Sequence, residues 1–116
     1  MANSISWYYQ RTSDATCAKA DAYIESRGIK VREAVDARKE KLGKREIAQI
    51  LRKTARVIAT KGKKVIDWDL KRDPPIEKEL YEALLGPTGN LRAPSIRSGK
   101  TLAVGFSEEA WDKVFG

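Results

Sequence analysis

Asp14 and Cys17 stand three residues apart in the stretch Tyr9-Gln10-Arg11-Thr12-Ser13-Asp14-Ala15-Thr16-Cys17, and they are the pair whose type and spacing could do chemistry. A thiol in the first turn of a helix is drawn toward thiolate by the helix dipole, as a nucleophilic cysteine requires. With two cysteines the same spacing would be a C-x-x-C redox motif. Here an Asp fills the first place and Cys17 is the only cysteine, so the chain cannot form an internal disulfide. Two readings of Cys17 stay open. It is either a lone reactive nucleophile, or a small hydrophobe on the inner face of a helix. Asp14 weighs toward the second, because an adjacent anion disfavours a thiolate while a carboxylate there caps the helix well.

Other chemistries are excluded or lack a motif. The chain has no histidine, which removes His-based triads, His general bases and most zinc sites. Asp67 and Asp69 have the alternate spacing of a metal-binding strand, but no further acidic cluster completes the set, so no metal is expected. Gly86-Pro87-Thr88-Gly89 reads as a loop, since no Gly-Lys-Ser/Thr follows to make a phosphate cradle.

The net charge of +7 is unevenly placed. Segment 28–72 carries fifteen Lys/Arg against six Asp/Glu, or +9, so the remainder of the chain sums to −2. Such a segment is either a solvated surface or an electrostatic footprint for nucleic acid, an acidic protein or an anionic substrate. Nucleic acid is not the expected partner, because Trp68 is the only aromatic residue in the basic segment and no stacking platform or standard nucleic-acid module is present. The apolar runs are far short of the ~20 residues that span a bilayer, and the first residues lack a signal-peptide pattern. With one free cysteine, these features predict a cytoplasmic protein that does not enter a membrane. A length of 116 residues predicts one domain over 1–116.

The elements that must hold Cys17 follow from periodicity. Ile5 to Tyr9 is β-branched and aromatic and reads as a strand, ended by the polar run Gln10–Asp14. Ala15 to Arg27 reads as a helix with Cys17, Ala20 and Ile24 on one face and Gly28 as its stop. A second strand over Ile29–Val35 completes a right-handed βαβ unit. Lys44–Lys53 fits an amphipathic helix with Ile47, Ile50 and Leu51 inward. Segment 55–70 fits neither period, and a short strand and a short helix both stay open there. Asp73-Pro74-Pro75 opens a helix whose buried stripe is expected to be Ile76, Leu80, Ala83 and Leu84. Two short strands, 94–97 and 100–104, form a hairpin about Ser98-Gly99. Ser107 then caps a last helix with Trp111, Val114 and Phe115 inward. The order βαβ, helical middle and ββα around a small mixed sheet describes an α/β, thioredoxin-like fold.

These elements, together with Thr60-Lys61-Gly62-Lys63, Leu91-Arg92-Ala93-Pro94 and Val104-Gly105-Phe106-Ser107-Glu108-Glu109, resemble the arsenate reductase and Spx-related family of thioredoxin-fold proteins. The resemblance spans nearly the whole chain and is most specific from Asn90 to Trp111. It implies a site at the start of the first helix, formed by Ser13, Asp14, Ala15, Thr16 and Cys17 and faced by Arg92, Ala93 and a cis Pro94. Family arsenate reductases use the first cysteine as nucleophile and a set of arginines as oxyanion clamp. At those positions this chain has Asp14, Ala59, Ala93 and the region of Val104 and Gly105, so reduction of arsenate by the usual route is not expected. Two functions follow. One is a thiol-linked redox protein in which Cys17 works with glutathione as co-substrate, or with a thioredoxin-type reductant, and no other cofactor. The other is a non-catalytic Spx-like module that contacts a protein such as RNA polymerase, a role that suits the basic segment 28–72.

Overall fold

A computed structural model describes residues 3–116. The chain enters through β1 (Ser4–Ile5) and β2 (Trp7–Gln10), separated by a bend at Ser6. Helix α1 (Ala15–Ser26) follows, then β3 (Lys30–Val31) and β4 (Ala34–Asp36). The two strands expected at 5–9 and 29–35 are therefore each broken in two, and they pair in step: β1 with β3 and β2 with β4, all parallel. Helix α1 starts where predicted because the Asp14 carboxylate accepts the Cys17 N–H at 3.0 Å, and it ends at Gly28, whose φ of +62° a residue with a Cβ adopts only with strain. The inner face differs by one turn position: Tyr23 is buried and Ile24 only half-buried.

Helix α2 (Lys44–Arg52) leads to the segment that periodicity left open. It is neither a lone strand nor a helix. It is a hairpin, β5 (Arg56–Lys61) and β6 (Lys64–Asp69), closed by the Lys61–Lys64 pair, with Gly62 at φ +62° in the turn. Its signal is masked because Val57, Ile58 and Ala59 are all fully buried, so β5 is covered on both faces and shows no apolar–polar alternation. Helix α3 (Glu77–Leu84) buries Leu80, Ala83 and Leu84, but Ile76 precedes its first turn as the N-cap and lies 64% exposed, against the expected inward stripe.

The hairpin β7 (Ser95–Ser98) and β8 (Thr101–Val104), turning through Gly99, and helix α4 (Glu108–Phe115), capped by Ser107, stand as read from the sequence. In the mixed sheet the order is β4-β2-β7-β8-β5-β6. Helices pack on both faces. Tyr8, Ile58, Ile96, Ala103 and Trp111 pack with α1 and α4 on one side, and Tyr9, Val57, Leu84, Leu102 and Val104 with α2 and α3 on the other. Adjacent Tyr8 and Tyr9 point to opposite faces, as the pleat of β2 dictates. This is the thioredoxin-like α/β fold. No helix among the described residues is long and apolar enough to cross a membrane.

Candidate functional site

A cleft of about 360 Å³ opens where the β2–α1 turn meets the loop before β7. Arg11 and Asp14 line it from one side, Asn90, Leu91, Arg92 and Ala93 from the other, with Tyr9 and Lys41 between them. The two segments that the sequence brought together are thus neighbours. The Ala93–Pro94 bond is cis, and Pro94 is fully buried behind the cleft. Of the other expected site residues, Ser13 (φ +64°) and Ala15 do not line this cleft; together with Asp14 they border a second recess on the α1 side of the turn, and Thr16 is exposed and borders neither.

Cys17 does not reach the cleft. Its residue is 1% exposed, and its Sγ accepts the Arg11 N–H at 3.4 Å. Burial pushes the thiol up to about 11, against the Arg11 hydrogen bond, which favours the thiolate, and with the help of the Asp14 carboxylate. Desolvation therefore outweighs the helix dipole on which a reactive reading depends. Asp14 is held below the usual carboxylate range, chiefly by the Cys17 N–H, so the cap stays ionised at neutral pH.

Arg92 has a different place from the one a clamp arginine needs. Its Nη1 donates to the Ala83 carbonyl at 2.7 Å and its Nη2 to the Thr60 carbonyl at 2.6 Å, pinning the end of α3 to β5. The guanidinium is a wall of the cleft whose hydrogen bonds are already directed into the fold. Gly105 makes room for it: with φ +81°, a Cβ there would lie 2.7 Å from the Thr60 oxygen and 3.0 Å from Arg92 Nη2. Gly105→Ala is expected to destabilise the chain by about 3 kcal/mol, the sum of left-handed strain and overpacking, measured by urea unfolding.

Sequence reasoning missed Lys41 and the latch behind it. Tyr9 Oη donates to the Glu40 carbonyl at 2.6 Å and accepts the Leu42 N–H at 3.3 Å, and the Tyr9 ring stacks on Trp7 with centroids 5.4 Å apart. This fixes the loop that carries Lys41 into the cleft. No local signal marks Lys41, because it is one of four consecutive charged residues, Arg38 to Lys41. Among the charged side chains that line the cleft, Arg11, Lys41 and Arg92 face Asp14 alone, so its potential is positive. The two other candidates are structural: Arg56 holds Asp67 through a double hydrogen bond of 2.9 and 2.6 Å, and Asp69 accepts the Lys71 and Arg72 N–H groups.

No family model matches the chain. The global transcriptional regulator Spx 1 of Oceanobacillus iheyensis is 32% identical to it over 105 residues, which cover 87% of this chain and 79% of that protein. The chain belongs to the Spx/arsenate reductase-like family. Asp14, Ala59 and Ala93, the positions to which the resemblance assigned reductase residues, lie at the helix cap, in the buried centre of β5 and on the cleft wall.

Proposed function

We propose that the chain is a non-catalytic Spx-like regulator that works by contacting a protein partner, with RNA polymerase the partner its family membership suggests. The observation that carries this reading is the closure of Cys17: a thiol 1% exposed and pushed up to about 11 is neutral at physiological pH and out of reach of a bulky disulfide. The similar Spx 1 is by name a transcriptional regulator, which fits a protein that acts by binding. The basic segment supplies the contact surface. Helix α2 lies within it and turns Arg45 and Arg52 to solvent, beside the exposed C-cap Lys53, where charge of one sign steers association with an acidic patch.

The test is direct binding to purified RNA polymerase by surface-coupled titration. Arg45→Glu with Arg52→Glu should weaken the complex about tenfold or more and flatten its salt dependence. Prior incubation with oxidised glutathione should leave affinity unchanged and add no mass to the folded chain. No polymerase binding at micromolar concentration would contradict the regulator reading. A glutathionyl adduct on native Cys17 would instead support the thiol-linked redox role with glutathione or a thioredoxin-type reductant.

A further inference from the structure

Strand β6 forms one edge of the six-stranded sheet: β5 pairs with one side of it, and among the described residues nothing pairs with the other. Leu70 donates its N–H to the Ala55 carbonyl, so in an alternating antiparallel ladder the bonded pairs are Val57–Trp68, Ala59–Ile66 and Lys61–Lys64. The backbone N–H and C=O groups of Val65 and Asp67 and the N–H of Asp69 therefore point away from β5, while the Asp69 carbonyl already accepts the Asp73 N–H at 3.0 Å. Val65, Ile66 and Trp68 are half-buried on this strand, which gives the open edge apolar side chains as well as free backbone groups.

We propose that this edge pairs with the same edge of a second copy of the chain, antiparallel about a two-fold axis through Ile66. Such an axis stands perpendicular to the sheet and sets each residue opposite one on the same face. Two registers overlap β6 most fully. Centred on Asp67, the pairing sets two carboxylates against each other and brings the turn residues Lys63 and Lys71, on either side of β6, toward one another. Centred on Ile66, it sets Ile66 against Ile66 and Lys64 against the Trp68 ring, and brings Lys63, in the turn ahead of β6, near Asp69, each contact occurring twice except the central one. Val65 and Asp67 then exchange backbone hydrogen bonds across the axis. Asp69 uses only Oδ1 for the Lys71 and Arg72 amides, which leaves Oδ2 for the opposing lysine. Charges that discourage pairing with an arbitrary strand thus match one another in this register, and they select it over its neighbour.

The contact is small, so the dimer is weak and concentration-dependent. Sedimentation equilibrium of the unaltered chain up to about 1 mM should show a monomer–dimer equilibrium, weakened about fivefold by Lys63→Glu, which turns both end pairs repulsive. Ile66→Cys should give a disulfide-linked dimer on mild oxidation, because an opposed non-hydrogen-bonded pair brings Cα atoms to ~4.5 Å, within disulfide range. Lys64→Cys should not, since the two copies of residue 64 lie about 13 Å apart along the strands. A chain that stays monomeric throughout, or cross-linking at 64 equal to that at 66, would overturn the proposal.

Discussion

Trp111→Ala is expected to lower stability by about 4 kcal/mol, the middle of the range for deleting a buried aromatic side chain. Trp111 is fully buried, and it meets Phe106 edge-on at 4.9 Å and Tyr23 at 5.5 Å, with Phe115 at 6.1 Å. Its indole N–H donates to the Gly105 carbonyl at 3.0 Å. Loss of the ring removes packing between α1, α4 and the sheet and orphans the carbonyl of the residue that makes room for Arg92. Against a native stability of about 5–15 kcal/mol the chain should still fold when cold but melt about 20 °C lower. Trp111→Phe separates the two contributions: it keeps most of the packing and should cost only about 1–2 kcal/mol, mainly for the unpaired carbonyl. Thermal unfolding followed by circular dichroism measures both. Equal losses for the two variants would show that the hydrogen bond, and not ring volume, holds α4.

The parts of the molecule legible in the sequence are those whose signals are local. Ser107 caps α4 and Asp14 caps α1 because a short polar side chain ahead of a periodic segment can do little else. The 95–104 hairpin was legible from its Ser98-Gly99 turn. Segment 55–70 was not, because burial of β5 on both faces removes alternation and the exposed β6 edge adds charges at irregular places. Ile76 misled because apolarity does not itself place a residue inside: it sits before the helix, outside the period that buries Leu80 and Leu84. The site was half legible. The approach of Arg92 and Ala93 to Asp14 followed from family resemblance, whereas Lys41 reaches the cleft through a loop latched by Tyr9, a contact across thirty-one residues that no window of sequence contains.

For Cys17 the sequence held two opposed cues, the helix dipole and the inner face, and the structure gives their balance. With the thiol pushed up to about 11 by burial, the thiolate fraction at pH 7 is about 300-fold below that of a free cysteine of pKa ~8.5. Reaction with iodoacetamide in the native chain should be slower than after denaturation by at least about that factor, since burial also blocks access. The sign of the linkage is fixed. Because the folded state raises the pKa of a group that is neutral when protonated, its contribution to stability is complete below about pH 9 and is lost as pH rises toward about 11. The rate of alkylation of Cys17 as a function of pH, in folded and denatured chain, measures this balance most directly. A native midpoint near 11 and restored reactivity on unfolding are the results that a binding protein with a packed thiol requires. A native midpoint below that of the free thiol would contradict it and return the chain to thiol chemistry.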